Sequence, residues 1–164
     1  MNGGYDEGYR ACPCFWGDKP GSLVAELLAT RDVADWTVLD LGCGEGKNAA
    51  ALARAGARVT AIDCSKAAVE NGQRAFAGLP IAWHVGDAAD FPPNSEGYDL
   101  VVMYGLAHCL LDAAHVGALI GKARSSTRHG GFNILVSFND GDHDWGVFSL
   151  SLLSRTPEFR QAAA

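Results

Sequence analysis

Three glycines, Gly42, Gly44 and Gly46, alternate with Cys43 and Glu45 where an apolar run, Thr37-Val-Leu-Asp-Leu41, stops and an alanine-rich stretch begins. Glycine reaches backbone conformations that a side chain blocks, so such a turn can double back tightly and let a ligand lie against the main chain. Seventeen positions beyond Gly46, a second β-branched run, Arg58-Val-Thr-Ala-Ile62, ends in Asp63. In a βαβ unit, an acid at the carboxyl end of the neighbouring strand can accept two hydrogen bonds from a ribose. Strand, glycine turn, helix, strand and acid together describe a nucleoside-binding half-site. A dinucleotide fingerprint, G-x-G-x-x-G/A, needs its third small residue at position 47, which is Lys47. The pattern here is G-x-G-x-G, and an ordinary glycine-rich turn that binds nothing would not require an acid at Asp63.

Other side chains offer acid–base or metal chemistry. His108 and His143 fall near predicted strand ends, and neutral imidazole takes up a proton near pH 7. His108 reads first as a packed residue after the fourth strand. His143 lies in Asn139-Asp-Gly-Asp-His-Asp144, but the G-x5-E continuation of a calcium loop is absent, and the segment reads as a solvated acidic loop. The five cysteines, at 12, 14, 43, 64 and 109, form no C-x-x-C pair. Cys43 and Cys64 occupy turns that need a small side chain. Cys12-Pro-Cys14 supplies two thiols, too few for structural zinc without an outside ligand such as His143, so no metal is expected.

Periodicity supplies the elements that must position these groups. Leu23, Val24, Leu27 and Leu28 mark an amphipathic helix from Ser22, its candidate cap, to about Thr30. A helix from Lys47 to Ala55 stops at Gly56. A second helix follows Cys64-Ser65 and runs to Phe76, with Ala67, Ala68 and Val69 toward the sheet. Ile81–Val85 is a strand closing at Gly86-Asp87, and Asp90-Phe-Pro-Pro-Asn94 is a loop. Tyr98–Met103 is apolar enough for a strand buried on both faces. Tyr104-Gly-Leu-Ala-His-Cys109 comes next, then a helix over 112–126, a turn at Arg128–Gly131 and a strand at Phe132–Phe138. Alternating strands and helices predict an α/β fold with a doubly wound, mostly parallel sheet and its ligand site at the strand ends.

At 164 residues the chain reads as one domain: an arm at 1–20, a nucleoside-binding core at 21–138 and a short tail at 139–164. Its formal net charge is −6, and no run of Lys or Arg tracks a phosphate backbone, which argues against nucleic acid. No apolar stretch approaches the roughly 18 residues of a membrane span, and Met1-Asn-Gly-Gly-Tyr-Asp-Glu lacks signal-peptide regions; a cytoplasmic protein is expected.

The Asp40-Leu-Gly-Cys-Gly-Glu-Gly46 stretch, with Asp63 and Gly86-Asp87-Ala88, resembles the class I S-adenosylmethionine-dependent methyltransferases, a Rossmann-like fold. Tyr5-x3-Tyr9, Phe15-Trp-Gly-x2-Pro20, Gly46-Lys47-Asn48 and Gly130-Gly-Phe-Asn-Ile-Leu135 are similar to words of the tellurite-resistance methyltransferases and their thiopurine methyltransferase-like relatives. The resemblance implies S-adenosylmethionine as methyl donor and S-adenosylhomocysteine as product. It implies a cofactor site of Tyr5, Tyr9, Trp16, Asp40, Gly42, Cys43, Gly44, Asn48, Asp63, Cys64, Ser65, Asp87, Ala88 and Tyr104. Within it, Asp87 and the amide of Ala88 would hold the adenine, and 104–109 would overlie the methyl-donor end. His143 and His108 are the candidate catalytic residues.

The acceptor would be a small, soft nucleophile such as a thiol, selenite or tellurite. The alternatives are a binding module without catalysis and an NAD-dependent oxidoreductase. The aromatic arm would serve as a lid over the cofactor, as a packed cover on the core, or as both. Only 26 residues follow Phe138, so the antiparallel hairpin that usually follows the fifth strand is expected to be missing. A bare apolar edge invites pairing, which predicts a homo-oligomer through the fifth strand and the tail.

Overall fold

A computed structural model describes residues 5–91, 94–110, 112–137, 150–152 and 160–162, the last two segments as backbone only. Five parallel strands make the body of the sheet: β1 (Thr37–Leu41), β2 (Arg58–Asp63), β3 (Ile81–Val85), β4 (Tyr98–Tyr104) and β5 (Thr127–Val136). Two short strands, β6 (Leu150–Leu152) and β7 (Arg160–Ala162), extend it in the order β3-β2-β1-β4-β5-β6-β7. Helices α1 (Asp6–Ala11), α2 (Ser22–Thr30), α3 (Lys47–Arg54), α4 (Lys66–Ala75) and α5 (Ala113–Ser126) complete the fold.

The central strands show why the sheet is covered on both sides. Side chains alternate across a strand, so Val38, Leu100, Val102 and Ile134 meet Val24 and Leu27 of α2 and Leu52 of α3 in one cluster. Leu39, Leu41, Val101 and Met103 meet Leu119 and Ala123 of α5 in the other. Each fully buried side chain of this kind contributes about 1.5–3 kcal/mol over its exposed state. In α5, Val116, Leu119, Ile120 and Ala123 recur at helical spacing on the covered side, and Leu119 and Ala123 are buried.

Several boundaries differ from the sequence reading. Ser22 is the first residue of α2, not its cap; Gly21 holds the cap position and donates its N–H to Asn48 Oδ1 at 2.8 Å. A Cβ on Gly21 would lie 2.2 Å from the Tyr104 ring, so the close approach of arm and β4 requires a glycine there. Residues 128–131 form no turn, because β5 begins at Thr127 and takes them into a register shift opposite Tyr98 and Leu100. Gly130 supplies the positive φ of 80° that this irregularity needs.

The tail also corrects the sequence reading: the antiparallel hairpin is present. β6 runs antiparallel to β5, pairing Leu152 with Ile134, and β7 runs antiparallel to β6, pairing Arg160 with Leu152. The open N–H and C=O groups of β5 need partners, and three-residue strands suffice to begin meeting that need. The bare fifth-strand edge from which an oligomer was inferred is therefore occupied by the chain itself.

Candidate functional site

A cleft of about 240 Å³ opens at the carboxyl ends of the parallel strands, where β1 lies between β2 and β4 and the strand order reverses direction. Thirteen of the fourteen residues expected at a cofactor line it, and so does His108. Asp40 is the exception. It is 1% exposed and sits beneath the turn, where one oxygen accepts the Ala49 N–H at the start of α3 and Oδ2 has no partner among the described residues. Burial pushes its pKa up to about 7. Asp40 thus supports the turn from below and does not face the cleft.

The turn has the geometry its glycines predict. Gly42, Gly44 and Gly46 hold φ of 66°, 55° and 78°, and a Cβ on Gly44 would stand 2.8 Å from Tyr9 Oη. Beneath the turn lies the Trp83 ring, 2.2 Å from where a Cβ of Gly46 would be and 2.6 Å from that of Gly72. Trp83 of β3 is a support that sequence reasoning missed, since a half-buried tryptophan on an edge strand carries no signal of what it touches.

Asp63 ties the end of β2 to both neighbouring loops. Its Oδ2 accepts the Gly44 N–H at 2.7 Å and its Oδ1 the Ser65 N–H at 2.8 Å. Burial raises its pKa, and these two amides act against that rise. Ser65 caps α4 by accepting the Ala68 N–H, and its hydroxyl donates to Asp6 Oδ1 at 2.6 Å. Asp87, at the end of β3, accepts the Ala89 N–H at 2.8 Å beside the buried Ala88. The acids therefore gather on the β2–β3 side.

The β4 side is neutral. Tyr104, Leu106, His108, Cys109 and Leu110 line it. His108 Nε2 faces Tyr5 Oη at 3.4 Å, and its Nδ1 faces Ser137 Oγ at 3.4 Å. Burial lowers the His108 pKa, favouring neutral imidazole, and raises those of the Tyr5 hydroxyl and the Cys109 thiol. Cys43 is likewise held as a thiol by burial and by Asp40. His143 and its acidic loop lie outside the described residues. Cys12 and Cys14 are exposed, and no three His, Cys, Asp or Glu among the described residues form a metal-binding group.

The arm walls the cleft's outer side. Tyr9 is buried and accepts Trp16 Nε1–H at 3.2 Å, and Tyr5 packs edge-on to Trp16 at 5.7 Å. Tyr5 and Tyr9 share a side of the arm, as their spacing predicts. Glu45, which sequence reasoning passed over, holds this arm in place; its position between two glycines of the turn was the available signal. Among the described residues, no helix is long and apolar enough to cross a membrane.

Residues 38–131 match the family described as "Methyltransferase domain". The demethylmenaquinone methyltransferase of Clavibacter sepedonicus is 40% identical over 85 residues, 51% of this chain and 35% of that protein. The probable thiol methyltransferase 2 of Arabidopsis thaliana is 31% identical over 108 residues, 63% of this chain and 47% of that protein. The chain thus spans less than half the length of these curated relatives. A solved structure described as "Conversion of a Disulfide Bond into a Thioacetal Group during Echinomycin Biosynthesis" superposes with a TM-score of 0.70 at 28% identity, covering 85% of this chain and 61% of that one. A match across more than half of the chain, on the strands and turns that build the cleft, shows its descent: the chain belongs to the methyltransferase domain family, among the class I S-adenosylmethionine-dependent methyltransferases.

Proposed function

We propose that the cleft binds S-adenosylmethionine and passes its methyl group to a small, soft nucleophile, a thiol first among them. One observation carries this reading: the cleft is divided by the glycine turn into an acidic half at β2–β3 and a neutral half at β4. The residues fit the cofactor. The turn lines the cleft with main chain at Gly42, Cys43 and Gly44, where the methionine part would lie, and Asp63, held by two amides and the Cys64 thiol, still has an acceptor site for a ribose hydroxyl. Asp87 and the Ala88 amide, just beyond the end of β3, would hold the adenine.

The donor supplies a methyl group already activated by its sulfonium charge, so the chain needs to exclude water and hold the acceptor in line. Tyr104, Leu106, Leu110 and Trp16 form the apolar wall for that purpose. A thiol must also lose its proton, and neutral His108 can take it at Nε2, with Nδ1 toward Ser137 Oγ and Tyr5 Oη alongside. Lys47 is the one cationic side chain among the described lining residues, and its Nζ donates to the Trp16 carbonyl at 3.2 Å. Charged selenite and tellurite therefore find less complement on this side than a neutral thiol does. Sulfur also figures in the names of the Arabidopsis relative, a probable thiol methyltransferase, and of the echinomycin structure, a disulfide-to-thioacetal conversion.

Placement in the tellurite-resistance and thiopurine-like group, a cytoplasmic location and a free small-molecule acceptor belong to this same proposal. Calorimetric titration with S-adenosylhomocysteine and with NAD tests the cofactor. A methyl-transfer screen against thiols, selenite and tellurite tests the acceptor. Tight binding without transfer to any of them would favour a binding module instead.

A further inference from the structure

The arm is anchored to the glycine turn by a side chain of that turn. Glu45 Oε1 accepts the Cys14 N–H at 2.8 Å and an Asn71 Nδ2–H at 2.9 Å, and its Oε2 accepts the Phe15 N–H at 2.7 Å. Asn71, buried on α4, donates again to the Tyr9 carbonyl at 2.8 Å. One carboxylate and one amide thus grip the arm at two places: on helix α1, and on the bend where Cys14 takes a left-handed φ of 67°. Two successive main-chain N–H groups converging on one carboxylate make a compact anion-binding nest. A six-residue helix has too few internal bonds to hold itself, because isolated helices below about 12–15 residues are marginal in water. Where the arm lies must therefore be decided by its anchors.

We infer that Glu45 is a positioning residue for the cofactor site. It locks the arm to the turn so that Tyr9 stands against Gly44, Tyr5 reaches His108 and Trp16 closes the mouth, which makes the arm a built-in wall. The inference rests on the cofactor reading above and assigns Glu45 no contact with the ligand. Glutamine at this position keeps one acceptor oxygen but turns N–H donors toward the other amides, so at least one arm bond is lost.

The test uses the full chain and compares Glu45→Gln, Asn71→Ala and Trp16→Ala, singly and in pairs. In the ligand-free protein, hydrogen exchange at the Cys14 and Phe15 amides should rise at least tenfold in Glu45→Gln while the β1 and β4 amides keep their protection. Affinity for S-adenosylhomocysteine should fall about tenfold, the KM for S-adenosylmethionine should rise with it, and kcat should change little. Asn71→Ala should do the same from the other anchor if Glu45→Gln folds poorly. Glu45→Gln combined with Trp16→Ala should lose less than the sum of the two, because both act through the arm. Arm exchange unchanged in both anchor variants, strand amides loosening together with the arm, or strict additivity with Trp16→Ala would each overturn the inference. If the parent binds no S-adenosylhomocysteine, the cofactor reading fails, while the exchange result still decides whether Glu45 holds the arm.

Discussion

Asp63 offers the sharpest test of the cofactor reading, because the structure specifies both what it holds and what it has left to offer. Each carboxylate oxygen accepts one backbone N–H, from Gly44 at 2.7 Å and from Ser65 at 2.8 Å, the Cys64 side chain bonds the same carboxylate, and one of its roughly four lone-pair sites is left for a ligand. A ribose hydroxyl bonded to a carboxylate contributes about 1.5–3 kcal/mol, and water at a half-open rim recovers part of that when the carboxylate is removed. Asp63→Ala should therefore cost about 1.4–3 kcal/mol of binding, tenfold to roughly 150-fold in Kd. Asp63→Asn keeps the shape but points N–H donors at the Gly44 or the Ser65 amide, so it should also loosen the turn. The one amide bond lost in Asp63→Asn amounts to about 0.5–1.5 kcal/mol of folding stability and the two lost in Asp63→Ala to about 1–3 kcal/mol, a fall of up to several degrees in Tm for a chain of this size. Calorimetry with S-adenosylhomocysteine, run well below the variants' melting points and beside their melting curves, separates the two effects. A folded Asp63→Ala that binds as tightly as the parent would refute the assignment of Asp63 to the ligand.

Further outcomes follow from other parts of the site. Asp40 has its pKa raised by burial from 3.8 to about 7, so its stabilising contribution is complete below about pH 3.8 and is lost as pH rises through about 7. The ceiling on that loss is about 4 kcal/mol. Asp40→Asn should flatten the decline of Tm between about pH 4 and 7, and parallel curves for parent and variant would show that Asp40 does not titrate there. His108→Gln should lower kcat toward a thiol by about 10²–10⁴ while leaving S-adenosylhomocysteine affinity nearly unchanged; equal loss of both would make His108 a packing residue. Gly46→Ala drives a Cβ to 2.2 Å from the Trp83 ring at φ 78°, whereas Gly78→Ala meets open space at φ 86°. Denaturant unfolding should show Gly46→Ala costing more by the overpacking, about 1–3 kcal/mol, and equal costs would mean that Trp83 yields freely. With β6 along β5, light scattering at tens of micromolar should give the 17.3 kDa of one chain; a dimer mass would restore the fifth-strand interface.

What the sequence determined by itself was local or set at a fixed offset. Strands β1 to β4 and helices α2 to α5 were readable because a two-residue or 3.6-residue period is a property of neighbours along the chain. The glycine turn and Asp63 were readable together because a βαβ unit fixes the distance between them. Packing decided the rest. Nothing in the spacing says that Glu45 bonds the amides of Cys14 and Phe15, that Trp83 lies under Gly46, or that Gly21 must be bare because Tyr104 covers it. These contacts join residues 30 or more positions apart, and each depends on where whole elements settle. The Gly130-Gly131 pair looked like a turn because glycine punctuates turns more often than bulges, yet the pairing with β4 carried the strand through it. The hairpin was missed for the same kind of reason: β6 and β7 are too short to show a period, and pairing with β5 is what makes them strands.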